Sequence, residues 1–213
     1  MSDRAIGKIA IVVLAAGRSA RLGRDKRLLM VDGEPLIRRA CQLAVACAVG
    51  PVFVITGAND FAAAEAIADL PVIVLSNPTP EAGIGSSIRV GIAAAAAGDA
   101  EAAIITVCDQ LSVTTKHLLH LVQAAGESRA AAVASRYAGD AGVPALFTRP
   151  MFPALCAIPP DEGAQRLLRS LGGGLHAVDL PDGEQDIDLP ADLVGLARNP
   201  PVPPPVPRHE RAG

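Results

Sequence analysis

Four times in succession a short run of small, branched apolar residues gives way to a stretch with helical patterning. "KIAIVVLAAG" precedes "EPLIRRACQLAVACAV", "PVFVITG" precedes "DFAAAEAIADL", "PVIVLSNP" precedes "IGSSIRVGIAAAAAG", and "AAIITVCDQ" precedes "TTKHLLHLVQAAGES". Strands buried on both faces read as near-continuous apolar runs, and parallel neighbours need a crossover between them, usually a helix. The alternation therefore predicts an α/β fold: a single three-layer domain with a mostly parallel sheet. Aromatic residues make up only 2% of the chain and tryptophan is absent. The core must then be built from Ala, Val, Leu and Ile, with alanine-rich helices packed closely on the sheet.

The second half is less regular. "AAAVASRYAGDAG" holds a strand and a turn, "PALFTRPMFPALCAI" a strand and a short helical piece, and "DEGAQRLLRSLG" a helix. "LHAVDLP" and "QDIDLP" read as short extended segments. Residues 1–198 are expected to form the domain, and the Pro- and Arg-rich residues 199–213 a disordered tail. No apolar run approaches the ~20 residues of a membrane span, and the run from Ile9 to Leu14 is too short for a signal peptide. Cys41, Cys47, Cys108 and Cys156 form no C-x-x-C pair, which predicts buried free thiols in a cytoplasmic protein. A net charge of -3 argues against a basic nucleic-acid binder.

In open α/β sheets, ligands bind beyond the carboxyl ends of the strands. Four features fall there: the loop after the first strand, Gly57, Asn77 and Asp109. The loop, "LAAGRSARLGRDK", combines Gly17 and Gly23 with Arg18, Arg21, Arg24, Lys26 and Arg27. Glycines permit close backbone approach, consecutive exposed N–H groups can cradle an anion, and arginine can fork onto two phosphate oxygens. Composition alone does not separate such a cradle from a solvated basic loop. The spacing is neither that of a P-loop nor the G-x-G-x-x-G of a dinucleotide fold.

This loop resembles the L-A-A-G-x-S-x-R-x-G-x-x-K signature of the molybdenum cofactor nucleotidyltransferases. The similarity continues in order through "NPTPEAGIGSSIRVGI", "VCDQ", "GVPALF", "DEGAQRLLR" and "DIDLPADL". The chain is most similar to the cytidylyltransferase group, which is related to the guanylyltransferases. The resemblance implies a Rossmann-like nucleotidyltransferase fold and Mg²⁺-dependent transfer of CMP from CTP to a phosphate of a molybdopterin-type cofactor, with a molybdoenzyme as further partner. It assigns nucleotide binding to Leu14, Ala15, Ala16, Gly17, Ser19 and Gly23, with the triphosphate on the loop backbone from Ala16 to Gly17 and from Ser19 to Gly23, Arg21 on the β/γ-phosphates and Lys26 on the α-phosphate. Asp109 would bind Mg²⁺ together with Asp186 or Asp188, which period-2 alternation puts on one face. Ser86 and Ser87 would read the base, where the guanylyltransferase group usually shows G-P-L-A-G. Gly142 and Pro144 would lie near the acceptor.

Two departures bear on the acceptor and the metal loop. Val143 stands where the family has histidine, and Leu111 follows Asp-Gln where proline is common. They keep another small phosphorylated acceptor in play, beside a non-catalytic cofactor-binding protein. An NAD-type oxidoreductase fits poorly, given the glycine spacing. Arg18, Arg24 and Arg27 are not signature positions and are expected to be solvated. His117 and His120, spaced i and i+3, read as a solvated helix face rather than half of a zinc site.

Overall fold

A computed structural model describes residues 7–17 and 25–184. Strand β1 (Ile9–Ala15) is apolar and buried at every position. Ile9, Ile11 and Val13 join a core with Ile37, Cys41 and Leu121, while Ala10, Val12 and Leu14 join a second core with Ile88, Ile92 and Phe147. Successive side chains of a strand point to opposite faces, so a strand apolar on both faces needs a helical layer on each side. That is the three-layer architecture expected.

The chain continues into a small hairpin, β2 (Met30–Val31) and β3 (Glu34–Pro35). Its turn, Asp32-Gly33, has positive φ at both residues, the two-residue geometry that Asp-Gly favours. There follow α1 (Leu36–Ala46), β4 (Val52–Gly57), α2 (Phe61–Glu65), β5 (Ile73–Asn77), α3 (Ile84–Ala97), β6 (Ala102–Val107) and α4 (Thr115–Ser128). The second half contributes β7 (Ala132–Tyr137), β8 (Asp140–Thr148), α5 (Phe152–Cys156), α6 (Ala164–Ser170) and β9 (Leu175–Asp179). The main sheet runs β5-β4-β1-β6-β8-β7-β9. β5, β4, β1 and β6 are mutually parallel; β8 runs antiparallel to both β6 and β7, and β9 lies parallel to β7.

Most predicted elements form where expected, and Thr114 caps α4 by accepting from the His117 N–H at 3.2 Å. The helix predicted over residues 60–70 shortens to Phe61–Glu65. Beyond it the N–H groups of Ile67, Ala68 and Leu70 reach back three residues instead of four, a tightening that leaves Ile67 1% exposed in the core. Small residues set the layer spacing: a Cβ on Gly91 of α3 would fall 2.3 Å from Val12 Cγ1 of β1. All four cysteines are free. Burial pushes the thiols up to about 12 for Cys41, about 11 for Cys47 and about 12 for Cys108, so they remain protonated. No helix among the described residues is long and apolar enough to cross a membrane. "QDIDLP" and the tail from 199 lie outside the described residues.

Candidate active site

The register of the parallel strands brings their carboxyl ends level. Leu14 pairs with Val107, Ala15 with Thr56, and Gly57 with Asn77. Ala16 is buried and Gly17 exposed just beyond β1, and Asp109 stands two residues past the end of β6. Lys26 returns to this rim from a single 3-10 turn, Lys26–Leu28, whose N-cap Asp25 accepts from the Arg27 N–H. Its Nζ lies 3.0 Å from Asp109 Oδ2, with the two side chains 9% and 27% exposed. The sequence thus placed these two residues correctly on one rim; the fold brings them into contact across 83 positions of chain.

The loop carrying Asp109 is braced by α1 and by the small hairpin. Arg39 Nη2 donates to the Leu111 carbonyl at 3.0 Å. Leu111 packs on a cluster of Leu29, Val31 and Leu36, an apolar role for the residue that replaces the family's proline. Beside it, Gln110 is buried and donates from Nε2 to the Gly183 carbonyl at 3.0 Å.

Arg27 is not the solvated cation expected from the sequence. It is 3% exposed. Its Nε and Nη2 fork onto the Asp25 carboxylate at 2.8 and 2.5 Å, and Nη1 donates to the Ala15 carbonyl at 2.5 Å and to Asp60 Oδ2. Burial alone would disfavour the charge, but hydrogen bonds to Asp25 and Asp60 outweigh it, so the guanidinium holds its proton more tightly than a free arginine. Spacing alone gave no sign of this, because Asp60 is remote in sequence and lies in a turn.

At the start of α3, Ser86 and Ser87 are both buried. Neither caps the helix: the N-cap is Gly83, with no side-chain bond. Instead Asn77 Nδ2 donates to Ser86 Oγ at 2.7 Å and to Ser87 Oγ at 3.0 Å, and Ser86 Oγ donates to the Gly83 carbonyl at 2.6 Å. Asn77 is 1% exposed, so this cluster links the end of β5 to the start of α3. Residues 158–162 close over it. A Cβ on Gly85 would lie 2.2 Å from the Pro159 carbonyl oxygen, and Arg89 Nη2 reaches the Ile158 carbonyl at 3.3 Å. Gly85 is glycine because another backbone occupies its side-chain space. Sequence patterning missed Asn77 as the organiser of both serines.

Gly142 and Pro144 lie within β8 and are buried, with Val143 half-buried between them. Gly142 packs against Tyr137, whose hydroxyl donates to the Val143 carbonyl at 3.0 Å. The Pro144 carbonyl accepts from Ser135 Oγ at 2.6 Å, and His117 Nε2 lies 2.7 Å from the same Oγ. His117 is therefore a buried hydrogen-bonding residue rather than part of a solvated face, and His120 is the exposed member of the pair. Helical spacing put the two histidines on one side of α4, and the sheet covers just one of them.

Arg18, Ser19, Arg21, Gly23, Arg24, Asp186 and Asp188 lie outside the described residues. Among the described residues no group of three or more His, Cys, Asp or Glu side chains gathers as a metal site. Asp109 offers a partly exposed carboxylate at the rim. A single carboxylate suits a hard cation held chiefly by phosphate oxygens, whereas a closed all-protein cage would need more.

Comparison with known proteins identifies the family. Residues 11–176 match the family described as the MobA-like NTP transferase domain. The purine catabolism protein PucB of Bacillus subtilis (strain 168) is 31% identical over 198 residues, covering 85% of this chain and 92% of PucB. The molybdenum cofactor guanylyltransferase of Rhodobacter capsulatus is 32% identical over 191 residues, covering 87% and 93%. Among solved structures, Rv0371c of Mycobacterium tuberculosis H37Rv superposes with a TM-score of 0.77 at 27% identity, covering 92% of this chain and 98% of that one. The match over residues 11–176, together with relatives more than 30% identical along most of the chain, shows that this chain belongs to the MobA-like NTP transferase domain family and is a nucleotidyltransferase.

Proposed function

We propose that the protein transfers CMP from CTP to a phosphate of a molybdopterin-type cofactor, releasing pyrophosphate, with Mg²⁺ as the metal. The observation that carries the reading is the Lys26–Asp109 contact at the carboxyl ends of β1 and β6. A cation and a carboxylate side by side suit a phosphate oxygen next to a hard metal ion. An acceptor phosphate oxygen attacks the α-phosphorus, and the bond from that phosphorus to the bridging oxygen of pyrophosphate breaks. Negative charge grows on the phosphoryl oxygens and on the leaving group, so catalysis rests on positioning and charge stabilisation.

The residues divide the work. Loop backbone N–H groups from Ala16 to Gly17 and from Ser19 to Gly23 hold the triphosphate, Arg21 its β/γ end, and Lys26 the α-phosphate, with Leu14 and Ala15 beside the nucleotide. Asp109, with Asp186 or Asp188, would hold Mg²⁺, which neutralises triphosphate charge when bound. A crystal structure of Rv0371c in complex with manganese, 25% identical with a TM-score of 0.73, supports a divalent ion in this family. Gly142 and Pro144 border the acceptor.

Ser86 and Ser87 supply small hydrogen-bonding groups for a cytosine edge, oriented by Asn77. The second reading is GTP as donor, favoured by the Rhodobacter capsulatus relative named as a guanylyltransferase. Pyrophosphate release from CTP and from GTP, each with molybdopterin and Mg²⁺, separates the two. Preference for CTP supports the cytidylyltransferase reading, and equal use or a GTP preference rejects it. Nucleotide-dependent thermal stabilisation gives a check independent of acceptor: saturation at 100 times the dissociation constant adds about 2.7 kcal/mol.

A further inference from the structure

Beneath the rim, the Arg27 guanidinium ties together the ends of two parallel strands. It donates to the Ala15 carbonyl, the last residue of β1, and to Asp60, three residues past the end of β4. Its fork onto Asp25 closes the turn from which Lys26 projects, since Asp25 Oδ1 accepts both the Arg27 Nε and the Arg27 N–H. At 3% exposure the guanidinium is enclosed by protein.

We infer that Arg27 is a positioning residue for nucleotidyl transfer: through Asp25, Asp60 and the Ala15 carbonyl it locks the turn that aims Lys26 at the reacting phosphate beside Asp109. The inference rests on the nucleotidyltransferase reading of the Lys26–Asp109 site. Four directional hydrogen bonds from one planar group define the orientation of the turn as well as its attachment. A lysine at position 27 would keep the charge but lose the fork. The neighbours Lys26 and Arg27 then have opposite tasks: Lys26 turns toward Asp109 and the rim, and Arg27 turns inward toward the strand ends. An ångström of misplacement at a reacting centre costs about 100-fold in rate, so a loosened turn should register in turnover before it registers in binding.

The test uses Arg27→Lys, alone and combined with Lys26→Ala. In the wild-type background Arg27→Lys should lower kcat about 10- to 100-fold while changing KM for the nucleotide less than about threefold. In the Lys26→Ala background the same change should cost almost nothing more, because the group being aimed is gone. A multiplicative loss in the double variant, or an unchanged kcat with a lowered Tm, would overturn the inference and leave Arg27 a purely structural residue. Hydrogen exchange at the amides of residues 26–29 gives a readout that needs no turnover. Faster exchange there in Arg27→Lys, with β1 and β4 unchanged, supports the lock; equal exchange rejects it. An inactive wild-type enzyme with altered exchange in the variant would instead reject the substrate assignment and leave the lock standing. Arg27→Met with Asp60→Asn provides a second variant without an unpaired buried charge, and the same exchange pattern is expected of it.

Discussion

Lys26 Nζ and Asp109 Oδ2 lie 3.0 Å apart, joining the loop after β1 to the loop after β6. The pair combines the two charges that transfer of a nucleotidyl group most needs, on neighbouring strands whose register is set by Leu14 and Val107.

Lys26→Ala removes the cation opposite the α-phosphate. Preorganised charges of this kind are worth about 100- to 1,000-fold in turnover, and a loss of that size in kcat is expected. Lys26 is buried and Asp109 only partly exposed, so stability should also fall, by about 1–3 kcal/mol. Steady-state pyrophosphate release and thermal unfolding on the same preparation check both halves. Full activity in Lys26→Ala would reject the assigned role.

Asp109→Asn keeps the side chain's shape but removes its charge. The Mg²⁺ concentration for half-maximal activity should rise at least about 10-fold, in line with the losses seen when groups supporting a metal are changed. Nucleotide binding without metal should hold or tighten, because a negative charge beside the triphosphate has gone. An unchanged metal titration would move the metal away from Asp109.

Ser87→Ala tests base recognition. Ser87 Oγ accepts one bond from Asn77 at 3.0 Å, and its hydroxyl proton has no acceptor among the described residues. Loss of a contact to the base should cost about 1 kcal/mol, or several-fold in the kcat/KM ratio for CTP over GTP. Asn77→Leu should instead lower stability by about 1–3 kcal/mol, since it strips a buried network. An unchanged CTP-to-GTP ratio in Ser87→Ala would place base recognition elsewhere.

His117 predicts a pH dependence of stability. Burial, with a smaller contribution from His120, lowers its pKa below the ordinary 6.5. The native state then holds a neutral imidazole, while the unfolded chain takes up a proton below about pH 6.5. Stability should be unaffected by this group above that pH and fall as pH drops through the window below it, until the lowered native pKa is passed. Tm measured from pH 7.5 to 5.0 should fall more steeply in the wild type than in His117→Gln. Parallel curves would remove His117 as the cause.

What the chain determines locally is visible without coordinates. Apolar runs of Ile, Val and Ala alternating with helical stretches dictate a layered α/β fold, because such strands must be covered on both faces. Glycine and charge after β1, and a carboxylate after β6, locate the rim, because strand ends in a parallel sheet converge there. The helix over 60–70 was overestimated because alanine-rich sequence permits a helix, and only the packing of Ile67 decides where it tightens. The site's supporting contacts could not be read from sequence at all. Arg27 looked like one more loop cation until Asp25, Asp60 and the Ala15 carbonyl surrounded it, and Asn77 like a strand terminator until it bridged Ser86 and Ser87. His117 and His120 share a helical spacing, yet the sheet buries one and leaves the other exposed. Periodicity and motif spacing report forces between near neighbours in the chain. A buried charge or hydrogen bond depends on partners dozens of residues away, and only the tertiary structure brings them within reach.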